Sequence, residues 1–125
     1  VEERLSATIS LGNMEDRSII PILKNLLNDD EPNIRWDAAI ALAKVGDASG
    51  SLIIDNLLDR KYYSQFTKVD SEEQVQAILV AIKASNKIPS ERFITNLMKL
   101  ATLDHNMKIR DQAIKTLDKT YDRQI

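Results

Sequence analysis

The stretch "NIRWDAAIALAKVGD" (residues 33–47) decides the fold of this 125-residue chain. Its apolar residues recur at intervals of three and four, which is the period of a helix with one buried face. Its small alanines allow a neighbouring helix to approach closely. The same segment carries the chain's one tryptophan, Trp36, between Arg35 and Asp37. The pattern predicts a packed helix and leaves open whether the indole belongs to the core or to a binding surface.

The stretch recurs along the chain. "ERLSATISLGNMED" (3–16) aligns with residues 34–47 at a shift of 31, and "IRDQAIKTL" (109–117) aligns with residues 34–42. At the shift of 31, the leucine pair at 26 and 27 also falls on the pair at 57 and 58. Self-similarity at a fixed period is the signature of a repeat protein, in which each unit is one small helical motif.

Helical periodicity over the whole chain predicts seven helices and no strand. Pro21 fits the first turn of the second helix, where a proline is tolerated. Ser71 followed by Gln74 has the spacing of a capping box, and Asn33, Ser90 and Asn106 are further N-cap candidates. The predicted helices lie near 1–12, 18–28, 33–45, 50–60, 71–85, 90–103 and 107–122.

One unit is longer than the period allows, because "KYYSQFTKVD" (61–70) adds roughly ten residues. The helix after it aligns with residues 33–45 at a shift of either 40 or 41, and the sequence does not choose between them. Tyr62, Tyr63 and Phe66 lie in the added segment. Two interpretations are open: an ordered loop anchored on the helices by its rings, or a recognition loop held by a rigid scaffold.

The order Asp, short turn, "IR", "AA", "AL" and "VGD" resembles the HEAT repeat, and within it the short bacterial variety called phycobilisome-lyase-type HEAT-like repeats. The resemblance is strong over 15–60, good over 94–117 and weak over 61–90. It implies an all-α fold of the armadillo-like helical kind: an α-solenoid, or right-handed superhelix of stacked antiparallel helix pairs, with second helices on the concave side.

The resemblance also implies the domain organisation. We expect a single HEAT-like domain over residues 1–125, with about 3.5 units: a half unit at 1–12, then 13–46, 47–86 with the inserted loop 61–70, and 87–125. Because the chain begins at Val1 without a methionine, we expect it to be part of a longer chain.

Two pairs of charged residues recur with the repeat. Asp29 precedes Arg35 by six residues, and Asp104 precedes Arg110 by six. A carboxylate before a helix and a guanidinium in its first turn are suited to bond each other and the neighbouring turns. We therefore expect these four residues to form a structural ladder along the array.

Composition and motifs favour a protein that is not an enzyme and has no cofactor. The chain has no cysteine, its single histidine is His105, and no phosphate-binding loop, HExxH or GxSxG motif occurs. A lone histidine in a turn predicts a solvated or capping residue, not a metal site or a triad. The net charge of −2 gives no sign of nucleic-acid binding. No apolar run is long enough to span a membrane; the cytoplasm is only the default expectation.

Function is therefore expected on a surface. In the HEAT-like register the concave side receives Trp36, Asp37, Ile40 and Lys44 from one unit, and Leu5 and Ile9 from the preceding one. An apolar patch rimmed by charge is typical of a binding site for a protein or peptide. Alternatively, Trp36 is packed under the inserted loop, or Leu5 and Ile9 meet further repeats.

The sequence thus predicts a protein-interaction scaffold, with Tyr62, Tyr63 and Phe66 as a further wall of the site. Two alternatives stay open: an accessory subunit of a bilin-lyase-like enzyme, or a purely structural spacer or capping domain.

Overall fold

The computed structural model describes residues 17–123, and this part of the chain is helical without a strand. The prediction of an all-α fold is confirmed. The helix expected at 1–12, with Leu5 and Ile9, lies outside the described residues. The α-helices are α1 (Ile20–Leu26), α2 (Pro32–Lys44), α3 (Ser51–Leu57), α4 (Ser71–Lys87), α5 (Ile94–Leu103) and α6 (Met107–Tyr121). Short 3-10 helices span Arg17–Ile19, Ala48–Gly50, Arg60–Gln65 and Glu91–Phe93.

Residue contacts divide the chain into two compact units, Val1–Ile54 and Asp55–Ile125. The division falls within α3. The expected organisation, with one domain of about 3.5 repeats over residues 1–125, stays a prediction.

In the first unit, α1 packs against α2, and α2 packs against the 3-10 turn Ala48–Gly50. Pro21 stands in the first turn of α1, as predicted. The alanines of α2 are buried, so this helix offers a nearly flat face to its neighbours. The core cluster consists of Ile19, Leu23, Ala41 and Leu42, with Ile20, Leu26 and Leu27 packed against it.

The "VGD" that ends α2 has a structural explanation. Gly46 adopts a φ of 79°, in the left-handed region that favours glycine. This conformation lets the backbone N–H of Asp47 donate to the Leu42 carbonyl at 2.9 Å and so closes the helix. The Asp47 carboxylate then accepts from the Ser49 N–H at 2.8 Å and starts the 3-10 turn that leads to α3.

In the second unit, α6 packs against both α5 and α4. The burial pattern of α4 selects between the two possible alignments of this helix with α2. Its buried Ile78, Leu79, Ala81 and Ile82 coincide with buried Ala38, Ala39, Ala41 and Leu42. The shift is therefore 40 residues, since a shift of 41 would place exposed Val80 and Lys83 on buried positions.

Helix starts were predicted closely but not always to the residue. Ser90 and Asn106 cap their helices as expected, accepting from the N–H groups of Arg92 and Ile109. Two predictions were wrong by one or two residues. The capping box of α4 pairs Asp70 with Glu73, because the Asp70 carboxylate precedes Ser71 and takes the N–H of Glu73 at 2.8 Å. Asn33 is not the N-cap of α2: the helix begins at Pro32, so its N-cap is Glu31, two residues before Asn33. Proline suits this first position because it lacks the N–H that a helix start leaves unused.

Candidate interaction surfaces

The ladder arginines hold the turns that precede α2 and α6. Arg35 donates from Nη1 to the backbone carbonyls of Asp29, at 2.8 Å, and Asp30, at 3.1 Å. Arg110 donates from Nη1 to the backbone carbonyl of Asp104, also at 2.8 Å. Each arginine thus bonds the main chain of the turn before its helix, at the aspartate six residues earlier.

The aspartates of the ladder shape the same turns through their carboxylates. Asp29 accepts from the backbone N–H of Glu31 at 2.9 Å, and Asp104 accepts from that of Asn106 at 3.0 Å. An aspartate that bonds the N–H two residues ahead forms a compact turn. The recurring aspartate and arginine therefore build one local motif twice, in the turns before α2 and α6.

Trp36 is buried, with 9% of its surface exposed. This corrects the expectation of an exposed patch centred on the indole. Of its neighbours on α2, Asp37 and Ile40 are half-buried and Lys44 is exposed. A partner that docks on this helix would thus contact Ile40 and Lys44 and not the Trp36 ring.

Asp37 is the electrostatically unusual residue of α2. Burial of the carboxyl raises its pKa from an ordinary 3.8 to about 6, and the nearby charge of Lys44 only partly offsets this. The folded chain therefore binds more protons than the unfolded chain between these two values. The free energy of unfolding must then fall as the pH rises through that window.

We expect Asp37→Asn to stabilise the protein at neutral pH. A shift of about two pKa units corresponds to at most about 3 kcal/mol in the free energy of unfolding. Partial exposure of the carboxyl reduces the expected stabilisation to about 1 kcal/mol. Below pH 3.8 the gain should vanish, because the wild-type carboxyl is then protonated. Thermal unfolding followed over this pH range measures the difference, with Asp111→Asn at an exposed site as control. An equal gain at all pH values would contradict the assignment.

The aromatic residues of the inserted segment differ in exposure. Tyr63 is 1% exposed, and its hydroxyl donates to the Leu57 carbonyl at 2.5 Å. Burial, followed by the neighbouring Tyr62, raises the pKa of Tyr63. Tyr62 and Phe66 are half-buried, with ring centroids 5.1 Å apart in an edge-to-face arrangement. Tyr63 thus anchors the segment, and only the other two rings are accessible to a partner.

The ion pair between Arg60 and Asp104, in the second unit, was not predicted. Arg60 Nε lies 2.7 Å from Asp104 Oδ1, and Nη2 lies 3.2 Å from Oδ2, which makes a two-pronged pair. The side chains are 23% and 1% exposed. The sequence does contain one indication of this pair. At the repeat shift of 31, Arg60 occupies the position that Asp29 has in the preceding unit, so a positive charge replaces a negative one.

The ion pair borders a groove of about 410 Å³ between residues 58–61, α5 and the turn after α5. Leu58 and Leu100 form a buried floor, while Leu103 is 79% exposed. Lys61 and Lys99 stand at the edge. None of these residues was among the sequence-predicted binding residues.

Three further observations concern the chemistry available in the described residues. His105, expected to be solvated or capping, is exposed and lies beside the groove. Residues 17–123 contain no group of three or more acidic or histidine side chains that could hold a metal ion. In the same range no helix is long and apolar enough to cross a membrane.

Short helices packed against one another, with the same polar turn before α2 and α6, define a helical-repeat protein. Residues 1–65, just over half of the chain, match the family model of HEAT repeats, and the chain belongs to that family. The match does not identify the phycobilisome-lyase type or a bacterial source. HEAT repeats are commonly protein-interaction scaffolds and generally not enzymes. Comparison with curated proteins and with solved structures gives no significant match.

Proposed function

We propose that this chain is a non-enzymatic scaffold that binds a protein or peptide partner on its concave side, through the face of α2 that carries Asp37, Ile40 and Lys44. The observation that carries the proposal is the division of this helix into two kinds of residue. Its alanines and Leu42 are buried. Asp37, Ile40 and Lys44 follow one another at intervals of three and four, so they share a second face.

The chemistry of that face suits a protein partner. Half-buried Ile40 lies between a carboxylate and an exposed lysine, which gives an apolar contact with charged residues on both sides. Such a combination is common in protein interfaces, where the apolar contact supplies affinity and the charges fix orientation. Trp36 is buried, so its ring is not part of this face.

Family membership supports the choice of helix. In a HEAT-like solenoid the second helix of each pair lines the concave side, and α2 is the second helix of its pair. The equivalent positions of the last repeat are more polar, since they carry Gln112, Lys115 and Lys119. We therefore place the apolar part of the concave site on α2.

Site-specific cross-linking tests this proposal. A photo-reactive amino acid at Lys44, in the full chain, should give a discrete protein adduct in an extract of cells that express the chain. The same group at Lys24, which is exposed on α1, is the matched control and should give none.

A second variant tests the contact chemically. Adding Ile40→Asp to the Lys44 probe should abolish the adduct, because a charge replaces the apolar contact. Circular dichroism checks that the fold survives. Equal adducts from Lys44 and Lys24, or an adduct that persists with Ile40→Asp, would contradict binding at α2.

A further inference from the structure

The groove of the second unit combines an apolar floor with a cationic rim. Leu58 and Leu100 are 1% and 3% exposed, so they form a packed base, while Leu103 stands at the edge with most of its surface in solvent. The volume of about 410 Å³ lies within the roughly 300–1,000 Å³ of ligand-binding clefts. A large exposed leucine beside such a cleft is the kind of apolar surface that marks an interaction site.

The walls of the groove are fixed by side-chain bonds. Arg60 is held by the two-pronged contact with Asp104 and by a longer contact of Nη1 with Gln74, at 3.4 Å. On the other side, Asn96 donates from Nδ2 to the carbonyl of Asp55 at 3.1 Å and to its carboxylate at 3.0 Å. A preformed groove binds with a smaller loss of conformational entropy than one that must be ordered by its ligand.

The accessible charge of the groove is positive. Lys61 and Lys99 are exposed, and Arg60 is 23% exposed. Asp104 is 1% exposed beneath Arg60, whereas Asp59 is half-buried and its carboxylate accepts the backbone N–H of Lys61 at 3.0 Å. The three cations of the described lining therefore outnumber its two carboxylates by one. This local surplus contrasts with the net charge of −2 of the whole chain.

We propose that the groove binds a short acidic peptide segment of a partner protein, with one leucine-sized side chain on the floor and carboxylates against Lys61 and Lys99. This inference rests on the proposed scaffold function, but it assigns a separate surface. Charge complementarity selects the acidic flanks, and the three leucines select the apolar side chain.

The lining argues against a nucleic acid or a free phosphate as the occupant. Binding of single-stranded nucleic acid relies on several aromatic side chains on which successive bases stack, whereas the described lining of this groove has no Phe, Tyr or Trp and offers only the imidazole of His105. A phosphate would also leave the exposed Leu103 without an apolar contact.

Fluorescence anisotropy with labelled synthetic peptides tests the proposal on the full chain. The probe is a capped nine-residue peptide with one central leucine flanked by glutamates. Its two matched peptides replace the leucine by serine, or the glutamates by lysines. We expect the acidic leucine peptide to bind at least tenfold more tightly than either, and its affinity to fall as salt is raised.

Variants then locate the site. Lys61→Glu combined with Lys99→Glu should weaken binding of the acidic peptide at least tenfold, and Leu103→Asn should weaken it about fivefold. Both changes lie at exposed positions and should leave unfolding unchanged. Lys83→Glu, at an exposed lysine on α4, is the control and should not alter binding.

Three outcomes would overturn the assignment: no difference among the peptides, binding that the groove variants leave unchanged, or single-stranded DNA bound as tightly through the same lysines. Each is distinguishable from failure of the proposed function, since the Lys44 cross-link reports on α2 alone. A cross-link with no peptide binding would retain the scaffold and reject the groove.

Discussion

Asp104→Ala should destabilise the protein by about 3–4 kcal/mol, because it leaves a largely buried guanidinium without its partner. The Asp104 side chain is 1% exposed and contacts Arg60 through both oxygens. Its Oδ2 also accepts the Asn106 N–H, so the substitution opens the turn before α6 as well. Chemical denaturation measures the loss, with Asp118→Ala, at an exposed site on α6, as the control.

A double-mutant cycle separates the ion pair from the turn. Arg60→Ala, Asp104→Ala and the double variant should give a coupling energy of about 1–3 kcal/mol, because the double variant leaves no unpaired charge. Asp104→Asn should fall between wild type and Asp104→Ala, since its amide oxygen can still accept from Asn106. If the losses in the free energy of unfolding of the two single variants simply added up in the double variant, the interaction between Arg60 and Asp104 would contribute no stability.

The pair also predicts a dependence on pH. Burial raises the pKa of Asp104, but the Arg60 hydrogen bond, the Asn106 N–H and the charges of Arg60 and His105 together lower it below 3.8. A lowered pKa gives stability that is complete above the ordinary value and is lost as the pH falls through the folded-state value. The difference between wild type and Asp104→Asn should therefore shrink below pH 3.8.

The sequence was sufficient to predict the helices because each has a local signal. Intervals of three and four between apolar residues placed α2 and α6, and Asn106 and Ser90 marked helix starts by their side-chain acceptors. The errors of one or two residues at α2 and α4 arose where neighbouring residues could each start a helix. In each case, the contacts of the first helical turn determine which residue starts the helix.

The contacts of the second unit were harder to predict, because they join residues far apart in sequence. Arg60 and Asp104 are 44 residues apart, and no periodic pattern links them except the reversed charge at the repeat position of Arg60. The groove was missed for the same reason, since its floor combines a residue before the inserted segment with residues of α5. Pairing across such distances depends on packing that one sequence does not display.

The burial of Trp36 shows a limit of reasoning from repeats. The other units carry Leu5 and Asp111 at the position of Trp36, so the repeat pattern does not require a tryptophan there, and the HEAT-like register placed it on the concave side. Its 9% exposure shows that this position is packed. Variation among repeats therefore identifies positions that the shared architecture does not specify, and it does not establish that they face solvent.

Gly50→Ala should destabilise the first unit by about 3 kcal/mol, because the added methyl group has no space. A Cβ at Gly50 would lie 2.7 Å from both Cα and Cβ of Ala39. The Cα belongs to the backbone of α2, so the contact cannot be relieved by rotating a side chain. The 3-10 turn Ala48–Gly50 would have to move away from α2, and the packing of the two would be lost.

Thermal and chemical unfolding of Gly50→Ala measure this loss, and Ser49→Ala is the matched control. Ser49 precedes Gly50 in the same turn and is exposed, so its variant should lie within about 0.5 kcal/mol of wild type. Ala39→Gly removes one of the two crowded atoms and should recover part of the stability when combined with Gly50→Ala, although glycine within a helix itself costs about 1 kcal/mol. If Gly50→Ala unfolded like wild type, the close approach of this turn to α2 would be wrong, and with it the packing that holds the proposed binding helix.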